Sequence, residues 1–121
     1  MKDKLIYLAT PYSKYDAGLS MAFVDASRLT ARLLKEGYRV YCPIAHTHPI
    51  AMYGNVDPYD HDIWMTFDQA MMDKADILLI AKMQGWEQSK GIAIEMDVFC
   101  RVGKPILYLG PETLTISNLP S

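Results

Sequence analysis

Short apolar runs punctuate the chain, and longer stretches with a three- to four-residue apolar period lie between them. The first run, Leu5 to Ala9 (LIYLA), is β-prone and closed by Pro11, so it predicts a strand buried on both faces. Turn-forming residues follow in TPYSKYDAG, with several potential helix caps. From about Asp16 to Glu36, Leu19, Phe23, Ala26, Leu29 or Thr30, and Leu33 recur at helical steps, and Gly37 stands where a C-cap glycine belongs. Tyr38 to Cys42 (YRVYC) predicts a second strand, stopped by Pro43. From Pro43 to Pro58 there are three prolines, two His, one Gly and no period, which predicts a long loop.

A second helix is expected from Tyr59 or Asp60 to Lys74, leading into a third strand at Ala75 to Ala81 (ADILLIA). A loop over Gly85 to Ser89 precedes a third helix from about Ser89 to Arg101, before Gly103. Lys104 and Pro105 introduce a fourth strand, ILYLG, and Thr113 to Ile116 is a candidate fifth within the tail. Strands alternating with helices imply a parallel sheet covered on both faces. Right-handed crossovers then bring all the strands' carboxyl ends to one edge, where ligands bind in such folds. The search for chemistry narrows to the segments TPYSKYD, PIAHTHPIAMYGN, KMQGWEQSKG and the tail.

Composition sharpens this picture. A chain of 121 residues, half of them apolar and 21% charged, suits a single domain over 1–121 with a real core. Twelve basic against 14 acidic residues leave a net charge of -2, so no basic face is available for polymeric nucleic acid and any nucleotide ligand should be small. Cys42 and Cys100 share no CxxC spacing and read as buried thiols of a cytoplasmic, reducing compartment. The N-terminal apolar run is too short for a signal peptide, and no run approaches the roughly 20 residues of a membrane span.

Several residues could carry chemistry. Thr10 and Ser13 put hydroxyls beside a helix start, where unpaired N–H groups favour an anion, although Ser13 or Asp16 could simply cap that helix. Ser89 stands at the head of the third helix. Gly91 and Glu95 are four apart and share a face, so the glycine leaves open space in front of the carboxylate. Ile94 and Val98 make the neighbouring stripe apolar. A partly desolvated Glu95 would have a raised pKa and could serve as nucleophile or base; otherwise it is a solvated surface group. Asp68, in the helix ahead of ADILLIA, is a second carboxylate with the same alternative. His46 and His48 alternate, with His61 nearby, but no acid or thiol at tight spacing completes a metal set. Tyr7, Tyr12, Trp64 and Trp86 could wall a base pocket or belong to the core.

Taken together, IYLATPYS, the Pro- and His-bearing PIAHTHP stretch, Asp68 ahead of ADILLIA, and S-x5-E over Ser89 to Glu95 resemble the nucleoside 2-deoxyribosyltransferase superfamily, across about residues 4–110. The resemblance implies a three-layer flavodoxin-like α/β fold with a four- to five-stranded parallel sheet. It implies cleavage of the N-glycosidic bond between deoxyribose and a base, without a cofactor or metal. By position, Glu95 matches the catalytic glutamate, Asp68 the aspartate that supports it and Tyr7 the first-strand tyrosine that orients it. Ser89 matches the position that is Asp in the transferases and Ser in the 5'-phosphate hydrolases, because an aspartate would repel a phosphate that a serine can bind. Thr10, Pro11, Ser13, His46, Ser89 and Gly91 are then expected to contact a nucleoside or its 5'-monophosphate. Ala93 departs from the family's second glycine near the glutamate. The resemblance also implies a homodimer or larger assembly, to which Met65, Met71 and Met72 in the second helix lend weak support. A transferase, and a non-catalytic nucleotide-binding module, are the alternatives.

Overall fold

The computed structural model describes residues 1–120. Its elements are β1 (Leu5–Ala9), α1 (Leu19–Lys35), β2 (Arg39–Tyr41), α2 (Pro43–Gly54), α3 (His61–Lys74), β3 (Ile77–Ala81), α4 (Lys90–Arg101), β4 (Ile106–Gly110) and β5 (Thr115–Ser117). The five strands form one sheet in the order β2-β1-β3-β4-β5. The first four are mutually parallel, and β5 runs antiparallel to β4.

Alternation along the strands sorts the core into two clusters. Ile6, Leu8, Leu79 and Leu109 meet Ala26, Leu29 and Leu33 of α1, with Ile44 and Ala45 of α2 against them. Tyr7, Ala9, Leu78 and Ile80 instead meet Met72 of α3 and Ile92 and Phe99 of α4. Helices therefore cover both faces, as the continuous apolar runs of β1 and β3 require.

Three expectations need correction. The Pro43–Pro58 stretch is not a long loop; most of it is α2. Pro43 occupies the first helical turn, where its missing N–H costs nothing, and Asn55 ends the helix in the left-handed conformation at φ 55°. Pro49 lies inside the helix, which packing holds together: Thr47, His48 and Ala51 are buried, while Ile50, Met52 and Tyr53 face outward. Apolar residues are thus spread around α2, which erases the period that would have announced a helix. The second correction concerns β5. Only Pro111 to Leu114 separate it from β4, far fewer than the dozen or so residues of a parallel crossover, so it must return antiparallel. Third, Cys42 is buried but Cys100 is exposed near the end of α4.

Met72 is buried, and Met65 and Met71 pack against the same cluster, so these methionines are accounted for within the chain. No described helix is long and apolar enough to cross a membrane.

Candidate active site

Strands β1 and β3 are neighbours, yet β1 leads to α1 on one face and β3 leads to α4 on the other. A crevice necessarily opens between their carboxyl ends, the usual ligand position in an open α/β sheet. A cavity of about 390 Å³ lies there. The turn after β1 supplies Thr10, Tyr12, Ser13 and Lys14 to its wall. Residues leading into α3 and within it supply Tyr59, His61, Trp64 and Asp68, and α4 supplies Ser89, Gly91 and Glu95.

Ser89 is the N-cap of α4, its Oγ accepting from the Ile92 N–H at 3.2 Å. That bond uses a lone pair and leaves the hydroxyl proton free to donate toward the cavity. At Gly91 a Cβ would meet only Ser89 Oγ, at 3.8 Å, so the glycine contributes open volume rather than relieving a clash. One helical turn further on stands Glu95.

Glu95 keeps some accessible surface because it faces the cavity, but protein surrounds it closely enough to starve the carboxylate of water. Burial pushes its pKa from 4.5 up to about 8; the Tyr7 hydroxyl opposes the shift and the Asp68 charge adds to it. Burial also lifts Asp68, from 3.8 to about 6, against a lowering contribution from the Tyr41 hydroxyl. Both carboxyls are thus pushed toward their protonated forms, Glu95 more strongly than Asp68. Burial, then the charges of Glu95 and Asp68, push the Tyr7 phenol far above its ordinary value. Tyr7 Oη, Tyr41 Oη and Asp68 Oδ1 are buried without a formed hydrogen bond. The tyrosines are near enough to act on the carboxylates, yet neither contact has hydrogen-bond geometry. Three buried polar atoms without partners, grouped under one cavity, are the strongest local anomaly of the molecule.

Thr10, Ser13, Asp68, Ser89, Gly91 and Glu95, all expected from the sequence, line this one cavity. Tyr7 lies beneath it, fully buried, with its ring 5.6 Å from that of Tyr41. Pro11 is fully buried and does not line it. His46 does not line it either: it is exposed and stacks on Phe67 at 4.9 Å. The reason is helical geometry, since residues two apart are turned by about 200° around a helix. His48 accordingly points inward, buried, with Nδ1 2.6 Å from Tyr12 Oη and its ring 4.7 Å from Phe23. Trp64 lines the cavity, whereas Trp86 packs on Tyr108. Tyr41, Tyr59 and Lys90 were not anticipated. Tyr41 alone had a signal, because strand pairing of LIYLA with YRVYC sets it beside Tyr7. No group of three or more His, Cys, Asp and Glu suited to a metal ion occurs among the described residues.

Residues 4–110 match a family described as a domain of unknown function, DUF1937, and the chain belongs to that family. Comparison with curated proteins found no match.

Proposed function

We propose that this protein cleaves the N-glycosidic bond of a 2'-deoxynucleoside, with a 5'-monophosphate as the favoured substrate. The observation that carries the reading is the carboxylate pair, Glu95 and Asp68, desolvated in the lining of one cavity with the hydroxyls of Tyr7 and Tyr41 beside them. The strand order β2-β1-β3-β4, that of a flavodoxin-like sheet, agrees with the fold of the nucleoside 2-deoxyribosyltransferase superfamily.

In this reading Glu95 attacks C1' as its bond to the base nitrogen breaks. The bonding pair leaves with the base, which takes up a proton from Asp68 or water. Positive charge building on the sugar ring stabilises the ionised carboxylate, offsetting the desolvation that favours its protonated form. Water then attacks C1' and gives up a proton to the group that protonated the base, while the C1'–Glu95 bond breaks to restore the carboxylate and release the sugar; in a transferase a second base replaces water. The Ser89 hydroxyl, with Lys14 and Lys90 on the same cavity wall, supplies donors for the 5'-phosphate. Tyr59, Trp64 and Tyr12 offer faces for the base. Thr10 and Ser13 complete the sugar-phosphate side.

The test is release of free base from deoxynucleoside 5'-monophosphates, followed by chromatography, for wild type and Glu95→Ala. Release by wild type alone supports the reading; equal release by both, or none by either, overturns it. Adding a second free base distinguishes the transferase, which makes a new nucleoside. Saturable nucleotide binding without turnover would leave a binding module instead. A homodimer or larger assembly belongs to the same reading, and sedimentation showing a monomer removes it.

A further inference from the structure

A second cavity, of about 300 Å³, opens at the carboxyl edge of the sheet on the α1 side. Its floor is apolar, from Leu29 and Met83, and both residues are buried. Three cations converge on it: Arg28 and Arg32 from α1, and Lys82 just after β3. Two acids are also present, Asp25 and Glu112. Ion pairs among the described residues join the N-terminus to Asp3 and Arg101 to Asp97, and none involves these three cations.

The hydrogen bonds sharpen the imbalance. Asp25 accepts from the Tyr15 hydroxyl at 2.5 Å, and burial followed by that bond pushes the phenol up to about 12. Arg32 is held rigidly by backbone rather than by charge, its two terminal nitrogens donating to the carbonyls of Pro111 at 2.6 Å and Glu112 at 2.9 Å. A guanidinium has five N–H donors, so three remain. Arg28 is one helical turn from Arg32, and like charges at that spacing repel unless an anion lies between them. On a chain of net charge -2, three cations against two acids leave this lining with an excess of positive charge, and none of the three cations is taken up in an ion pair among the described residues, which favours an anion here.

We infer that this second cavity binds a small phosphate-bearing molecule, with Arg28, Arg32 and Lys82 as its recognition groups. The apolar floor accepts the organic part, and the prefixed Arg32 presents a planar donor pair suited to a phosphate. The inference stands on this cluster alone and does not depend on the reaction proposed at Glu95. It does have a consequence for that site, because the two cavities share a wall. Tyr15 and Gln84 face the second cavity, while Tyr12 and Lys14 face the first. The turn and the loop are joined there by the Asp16 N–H donating to Gln84 Oε1 at 2.8 Å. They also touch at Gly85, at φ +85°, where a Cβ would sit 2.7 Å from the Lys14 carbonyl oxygen. A ligand pressing on Gln84 therefore acts on the backbone that carries Lys14.

The test titrates the full chain with inorganic phosphate and, separately, with a pentose 5-phosphate, following backbone amide shifts by NMR. Saturating shifts at Lys82 to Gln84, Glu112 and the Arg28–Arg32 turn are expected. Binding there should weaken about tenfold or more in Arg28→Gln and Lys82→Glu, and stay unchanged in Lys90→Glu, which alters only the first cavity. Melting curves check that the variants fold. Saturation by the pentose phosphate alone also supports the site and assigns the floor a part in affinity. Shifts confined to Tyr12–Lys14 and Ser89–Glu95, no saturation by about 10 mM of either probe, or wild-type affinity in the variants would overturn it.

Discussion

The two faces of the sheet are built from the same strands and behave differently. On the α1 face, Ile6, Leu8, Leu33, Leu79 and Leu109 are nearly inaccessible hydrocarbon, and none of the partnerless buried polar atoms falls there. On the α3 and α4 face, Tyr7 alternates with those residues in the same strand, and the tyrosines meet Asp68 and Glu95. An unpaired buried polar group costs about 1–3 kcal/mol, and this face holds three. A sheet core does not need them, since the other face manages without. One face is thus hydrocarbon packing throughout, while the other carries unpaired polar atoms and two desolvated carboxyls beside a cavity.

The largest effect is expected from Glu95→Gln, which should lower base release about a thousandfold or more while leaving the melting temperature unchanged or higher. Comparable activity in the variant would remove the functional half of the comparison. Next comes Leu33→Ala on the packing face, expected to cost about 2–5 kcal/mol in urea unfolding with no change in kcat of the folded fraction. Tyr7→Phe removes a hydroxyl without a formed bond, so the variant should be more stable by about 1–3 kcal/mol in urea unfolding, in contrast to a buried tyrosine that is hydrogen-bonded, whose loss would destabilise. Base release by this variant should nevertheless fall about tenfold, because the hydroxyl assists ionisation of Glu95.

The smallest and most diagnostic effect concerns pH. Folding raises Glu95 from 4.5 to about 8, so between those values the native state binds more protons than the unfolded one. Stability from this group is fully present below 4.5 and is lost as pH rises toward 8. Asp68 acts the same way between 3.8 and about 6. Unfolding free energy should therefore decline from pH 5 to 8, and Glu95→Gln should flatten the decline above pH 6. In parallel, kcat/KM should climb toward pH 8 as the nucleophile ionises; a flat profile from pH 6 to 9 would contradict the assigned role.

Much of the fold is legible in the amino-acid sequence. The runs LIYLA, ADILLIA and ILYLG lack alternation because both sheet faces are covered, and each became a strand near its expected bounds. Ser89, Gly91 and Glu95 could be read as one helix head because their relations are local, spanning cap, first turn and second turn. The α2 helix was illegible for the opposite reason. Its stability comes from packing against α1, which no window of PIAHTHPIAMYG contains, and its two prolines argue against it locally. The side on which His46 falls was hidden with it, since two residues apart means one face in an extended segment and opposite faces in a helix.

The amino-acid sequence alone carried the alternation of strands and helices, the sheet edge at which the strands' carboxyl ends gather, and two candidate carboxylates. Those follow from periodicity and chain direction, which are properties of neighbours along the chain. Only the tertiary structure decided that Asp68 and Glu95 share one cavity, that Tyr7 and Tyr41 lie under them, and that Arg28, Arg32 and Lys82 converge on another. Each of these joins residues far apart in sequence, and their charges and desolvation take effect only once the crossovers have brought them together.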